Sequence, residues 1–300
     1  MLFGRRRPEP EITVQIPPDS ADDALDSATE SALFVKTDTV EFACSKHIGT
    51  REYQQDSVEV GTGADGVVFG VLCDGMGGLE DGELASRTAA QALAEALREM
   101  DPSCDIPAFL SSHAHSINKL IFELPSDVSK RGAAGTTLCA AVIVGDSLFW
   151  LSVGDSRIYI IRKQEILAVT REHSYSLDLE EQVRAGRITA EEAAEDPSRE
   201  ALISYIGMDE LALIDCNRNP FLLESGDIVL LCSDGLYRSL GDADILEVLA
   251  RHSGNISECA RVLPLYAFDK AQGAQDNTSV IILWYRNENN DSSFDIKTSK

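Results

Sequence analysis

Two apolar runs in the chain end in the same dipeptide: VVFGVLC runs into Asp74-Gly75, and IVLLCS runs into Asp234-Gly235. A continuous apolar run closed by a turn signal reads as a strand buried on both faces, so each needs packed cover on two sides. Further strands are legible around them. TVEFACS alternates apolar and polar residues, LCAAVIV and SLFWLSV form a hairpin through Gly145 and Asp146, SRIYIIRK and EILAVT pair around Lys163 and Gln164, and TSVIILWY closes the series. At least eight strands follow, mostly in antiparallel order. Amphipathic helices supply cover. Ala85, Ala89, Leu93, Ala96 and Met100 share one face of a first helix, and Leu110, Ala114, Ile117, Ile121 and Leu124 share one face of a second. Thr189 and Glu192 make a capping box ahead of a short helix, ITAEEAAE. Sheets packed face to face with helices outside satisfy these elements.

The 300 residues suffice for one large domain with tails. Residues 1–35 carry Pro8, Pro10, Pro17, Pro18 and an acidic run without sustained periodicity, and 287–300 read the same way; both are expected to be disordered tails around a domain spanning 36–286. A formal net charge of -24 argues against a nucleic-acid surface, which is built on Lys and Arg. The longest apolar stretch, 138–153, is broken by Gly145, Asp146 and Ser147 and falls short of a membrane span. Seven scattered cysteines without a C-x-x-C pair point to a reducing compartment, and no apolar signal segment follows Arg5, Arg6 and Arg7, so the expected location is cytoplasmic.

Either Asp-Gly alone reads as a turn. Three further aspartates change the weighing: Asp56 precedes the SVEV strand, Asp155 sits in the turn VGDSR, and Asp276 precedes the final strand. Converging strand ends would gather carboxylates that repel by about 4 kcal/mol per close pair at an effective dielectric near 20. Cations relieve such repulsion, and an all-oxygen donor set suits Mg2+ or Mn2+ rather than Zn2+. His113 and His115 offer no zinc alternative, because they lie two apart on a helix and face different ways. Gly75, Gly77 and Gly78 leave room for a carbonyl to approach a metal and for a phosphate to approach the main chain. A divalent pair can clamp a phosphoryl group and generate hydroxide at neutral pH.

Eight segments in order, GTREYQQDS (49–57), CDGMGG (73–78), AGTT (134–137), VGDSR (153–157), TREHS (170–174), VRAGRIT (183–189), SGDIVLLCSDGL (225–236) and DNTS (276–279), resemble the type-2C metal-dependent Ser/Thr protein phosphatases, bacterial members in particular. The resemblance implies an α+β fold, a four-layer α-β-β-α sandwich with two central antiparallel β-sheets flanked by helices. It implies two Mn2+ or Mg2+ ions at a core site, with a third held in bacterial relatives. Asp74 matches the residue that bridges two ions, and Gly75 the one whose carbonyl ligates one of them. Asp234 and Asp276 match ligands of the first ion, Asp56 a contact of the second, and Asp155 with Asp234 the holders of the third. Arg51 matches the phosphate-binding arginine, a role its planar fork suits, although outside this motif it reads as a surface salt bridge.

The implied chemistry is hydrolysis of phosphoserine and phosphothreonine by direct attack of a metal-bridging hydroxide, with Arg51, Asp56 and Asp74 at the catalytic centre and no phosphoenzyme. Cys73 and Cys232 are then core residues. Phosphorylated Ser/Thr proteins are the implied substrates, and a Ser/Thr kinase is the expected counterpart by family analogy. The chain also departs from the family pattern. Gln55 in Gln54-Gln55-Asp56 cannot supply a carboxylate, so the second ion leans on Asp74, Gly75 and water. Met76 stands where eukaryotic relatives carry a histidine, which leaves metal-bound water as the acid for the leaving oxygen and His173 as a structural residue. Residues 174–206 match the variable flap, with Ser204 and Tyr205 in place of the usual Arg-Ala. A catalytically silent binding or regulatory module of the same fold is the alternative, but such proteins lose one or more of the aspartates this chain keeps. An aspartyl-nucleophile phosphohydrolase would need Asp-x-Asp, and neither Asp74 nor Asp234 has an aspartate two residues later.

Overall fold

The continuous apolar runs become central strands because both of their faces find cover. A computed structural model describes residues 29–77, 79–125, 131–132, 134–271 and 273–287. One sheet has six strands in the order β1 (Thr29–Lys36), β2 (Val40–His47), β13 (Thr278–Tyr285), β12 (Ile228–Cys232), β8 (Arg157–Arg162), β9 (Glu165–Ala168). The other runs β10 (Asp215–Cys216), β7 (Ser147–Val153), β6 (Leu138–Val144), β4 (Val68–Met76), β3 (Asp56–Thr62), with β11 (Phe221–Leu222) beside β7 and β5 (Gly135–Thr136) beside β4. All these pairings are antiparallel.

Period-two alternation along β4 assigns its side chains to two different cores. Phe69, Val71 and Cys73 pack with Ala89, Leu93 and Leu97 of α1 (Leu79–Glu99) and with Leu110 and Ile117 of α2 (Ile106–Phe122). Val68 and Leu72 point the other way, into the layer between the sheets, where Phe42, Ile158, Val229 and Ile281 meet them. Gly70 leaves room for the facing sheet, since a Cβ there would lie 2.9 Å from Ile281 Cγ2. A third core, from Leu230, Cys232, Val280 and Ile282, lies against α6 (Asp242–Arg251) and α7 (Ile256–Ala271). Each fully buried aliphatic side chain contributes about 1.5–3 kcal/mol. The layers therefore run helix, sheet, sheet, helix, as expected.

Particular elements depart from the expectation. Composition places residues 29–35 in the tail, yet β1 pairs with β2 through Phe34↔Ala43 and Val35↔Phe42, so the sheet begins earlier than residue 36. The remaining tail assignments, and Gly78, lie outside the described residues. In α1, Ala96 is only half-buried and Leu97 takes the buried place. Neither α6 nor α7 was anticipated, although Ile245, Val248 and Leu249, and then Cys259, Ala260, Leu263 and Ala267, repeat at helical spacing. The two hairpins and the capping box of α4 (Ala190–Glu195) form as expected. Lys163 and Gln164 both take positive φ, the geometry a two-residue hairpin turn requires.

Candidate functional site

Antiparallel pairing of β3 with β4 sets Asp56 directly opposite Asp74. The AGTT segment then locks the Asp74 main chain from the other side. Its N–H donates to Thr137 Oγ1 at 2.8 Å, and its carbonyl accepts from the Thr137 N–H and the Thr136 hydroxyl, both at 2.9 Å. Asp234 opens α5 (Asp234–Tyr237) just beyond β12, Asp155 follows β7, and Asp276 precedes β13. The loop bearing Arg51 is sewn to the loop bearing Asp276: Thr50 N–H donates to Gln275 O (2.9 Å), Gln55 N–H to Asn277 Oδ1 (2.7 Å), and Asn277 Nδ2 to Ile48 O (2.8 Å). Buried Gln275 also donates from Nε2 to Gly235 O at 2.6 Å, tying in the Asp234 turn. Sequence reasoning did not single out Gln275 or Asn277; a pair of amides flanking a candidate ligand was the available signal.

The five aspartates share one electrostatic field. Burial pushes Asp56 up to about 7, with Asp234 and Asp276 adding to the rise and the Ser233 hydroxyl, donating to Oδ2 at 2.8 Å, opposing it. Burial likewise raises Asp155 to about 7, Asp234 adding and Arg238 opposing. Asp74 lies well above the carboxylate range, first through desolvation and then through Asp56, Asp234, Asp155 and Asp276. Desolvation also raises Asp234, against the pull of Arg238.

Two arginines hold the outer carboxylates. Arg51 Nη2 donates to Asp276 Oδ2 at 2.5 Å, and Arg238 Nε sits 3.0 Å from Asp234 Oδ2. Among the described residues no three His, Cys, Asp or Glu side chains close into a ready-made metal cage. The donor set nevertheless fits a hard divalent cation. Asp56 Oδ1 and Asp234 Oδ1 are buried with no hydrogen-bond partner, an arrangement that costs free energy unless a cation meets those oxygens. Oxygen donors without thiolate or imidazole select Mg2+ or Mn2+.

Gly75 also has a packing reason to lack a side chain. A Cβ on Gly75 would lie 2.2 Å from Gly82 O and 2.6 Å from Gln55 O, so main chain fills the space a side chain would need. Gly75→Ala is therefore expected to destabilise the fold by about 3 kcal/mol, read as a lower urea midpoint; an unchanged midpoint would show that the backbone yields freely. Gln55 has a packing role, its Nε2 resting where a Cβ on Gly82 would intrude at 2.4 Å. Cys73 and Cys232 are fully buried, and burial raises both thiols, Cys232 to about 12, which rules them out as thiolate nucleophiles at neutral pH. His173 is buried and neutral, its Nδ1 accepting from the Gly154 N–H at 3.2 Å, so it positions the turn that carries Asp155.

Residues 174–206 fold as α3 (Ser176–Arg184), α4 and a return segment that bridges Ser174 to Leu202 and Ile206 to Thr136. Ser204 points inward, its hydroxyl donating to Leu213 O (2.9 Å) and accepting from Leu213 N–H (3.0 Å). Tyr205 lies over Gly135, where a Cβ would come within 2.5 Å of its ring. A cavity of about 430 Å³ lies between this segment and Asp155, lined also by Arg157, Arg171, Arg199, Tyr237 and Arg238 among others.

The sequence profile described as Protein phosphatase 2C matches residues 44–263. The chain belongs to this family. It is 29% identical over 236 residues to the serine/threonine phosphatase stp of Listeria innocua, spanning 78% of this chain and 90% of the relative. The S. agalactiae serine/threonine phosphatase superposes with a TM-score of 0.73 at 32% identity, covering 82% of this chain and 99% of that one. The catalytic domain of the serine/threonine protein phosphatase PstP, solved in complex with two manganese ions, superposes with a TM-score of 0.67 at 28% identity over 83% of this chain and 99% of that one. Membership of the protein phosphatase 2C family bears out the resemblance read from the eight segments, and with it the sandwich fold. Among the described residues no helix is long and apolar enough to cross a membrane.

Proposed function

We propose that this protein phosphatase 2C member is a cytoplasmic, metal-dependent protein serine/threonine phosphatase that counters a Ser/Thr kinase. The observation carrying the reading is the meeting of Asp56, Asp74, Asp155, Asp234 and Asp276, from five separate segments, in one field with two buried, unpartnered carboxylate oxygens. Asp74, the Gly75 carbonyl, Asp56, Asp234 and Asp276 would hold Mn2+ or Mg2+, with Asp155 and Asp234 available to a further ion. Ions held there would activate water as the nucleophile for direct attack on phosphorus and would neutralise charge on the phosphoryl oxygens.

The chain's own residues do the positioning. Thr136 and Thr137 fix the Asp74 main chain, Ser233 orients Asp56, and Gln275 and Asn277 keep three loops in register. Arg51, half-exposed beside Asp276, offers its fork to the incoming phosphoryl group. His47 and His173 both spend Nδ1 on a backbone N–H, of Gly49 and Gly154, so neither ring is free at that nitrogen to serve as an acid.

The test is hydrolysis of an aryl phosphate and a phosphothreonine peptide with Mn2+, abolished by EDTA and by Asp234→Asn. Activity that survives chelation would exclude metal-assisted hydrolysis, and silence in excess Mn2+ would exclude the enzyme reading. Arg51→Ala is expected to raise KM for both substrates about tenfold, the scale of one lost charge-assisted contact, while Mn2+ affinity is retained; an unchanged KM would remove Arg51 from phosphate binding.

A further inference from the structure

Arg238 makes more ion pairs than its position beside a four-residue helix requires. Its Nε lies 3.0 Å from Asp234 Oδ2, its Nη2 lies 3.6 Å from Asp155 Oδ2, and its Nη1 donates to Glu200 Oε2 at 2.5 Å. The neighbouring Tyr237 secures the same corner. Its hydroxyl donates to Asp155 O at 3.1 Å, and the Arg157 guanidinium stacks 3.5 Å over its ring. Two carboxylates from different segments, buried Asp155 and largely buried Asp234, thus share a single guanidinium. We propose that Arg238 is a built-in cation of the site, serving the Asp155–Asp234 pair in place of a divalent ion, so that an ion can enter between these two aspartates only by displacing it.

The chemistry is competitive. The guanidinium faces Asp234 Oδ2 and Asp155 Oδ2, the oxygens left for a further ion once Asp234 Oδ1 meets a first one, and two positive charges at that separation repel. Arginine cannot yield by losing a proton, so it must swing away. Its side chain is 42% exposed, which leaves a path to solvent. The Glu200 arm is exposed and screened by water, so the buried aspartates carry the effect.

This inference rests on the reading that the aspartates hold divalent ions, and one titration separates the two. Full-length, EDTA-stripped protein is titrated calorimetrically with MnCl2 as wild type, Arg238→Met, Arg238→Gln and Glu200→Gln. The neutral Arg238 variants are expected to bind one Mn2+ equivalent more than wild type, or to bind their weakest equivalent at least about tenfold tighter, within the usual range of coupling between sites. Glu200→Gln should stay within about twofold of wild type. A merely structural role for Arg238 predicts the opposite sign, weaker binding in a loosened site. If wild type and a folded neutral variant bind Mn2+ with the same isotherm, the internal cation is overturned while the phosphatase reading stands. If neither binds Mn2+, both fall. The two neutral variants differ in hydrogen-bonding capacity, so a folding failure in one leaves the other to decide.

Discussion

Asp74→Asn is expected to lower kcat for aryl phosphate about a thousandfold or more and yet leave the metal-free protein at least as stable as wild type. The loss in rate follows from removing the carboxylate that faces Asp56 across β3 and β4 and senses all four other aspartates. A bound ion's stabilisation of developing charge is worth several kcal/mol, and each 1.36 kcal/mol is a factor of ten. The unchanged stability follows from the same surroundings. Desolvation and four neighbouring carboxylates push Asp74 well above the ordinary carboxylate range, so without metal its ionised form is disfavoured, and an amide of the same shape removes that unfavourable charge. Mn2+ should then distinguish the proteins. At a hundredfold excess over Kd, wild type gains about 2.7 kcal/mol and the variant much less. Thermal melts with and without Mn2+ read this directly, and a variant that melts well below wild type in EDTA would mean that Asp74 is structural.

In chelator, wild-type stability is expected to fall as pH rises from about 5 to about 8, and Mn2+ should reverse that slope. An unfolded chain ionises aspartate near 3.9, whereas burial holds Asp56 and Asp155 protonated until about 7. Between those values the native state binds protons that the unfolded chain has released. Their contribution is complete below about pH 4 and is lost as pH passes 7. A rise of that size corresponds to roughly 4 kcal/mol per carboxylate, and because the groups interact the two do not simply add. Ions bind the ionised form, so Mn2+ affinity grows with pH over the same window. Urea midpoints across pH 5 to 8 provide the measurement; a flat or rising profile in EDTA would contradict the shared field.

Much of this centre was legible because strand periodicity and turn dipeptides are local signals. VVFGVLC and IVLLCS announced strands covered on both faces, and each does lie between two cores. The Asp-Gly pairs marked where those strands hand over to the site. The order of the eight segments placed the aspartates in one family pattern, which a single motif could not have done. What escaped was nonlocal. That Gly75 must also be bare because the carbonyls of Gly82 and Gln55 fill the place of a Cβ could not be read locally. Gln275 and Arg238 carry no motif, and their meaning depends on loops brought together by two sheets. The edge strand β1 was hidden by the acidic, proline-containing composition upstream of it, because composition averages over a boundary that pairing with β2 draws sharply.

Crystals of the full chain grown with MnCl2 and measured at the manganese absorption edge test the central claim most directly. Anomalous peaks bordered by Asp56, Asp74, Asp234 and Asp276 are the predicted result. Crystals that contain manganese elsewhere but show no peak among these carboxylates, from protein that still hydrolyses aryl phosphate, would contradict it.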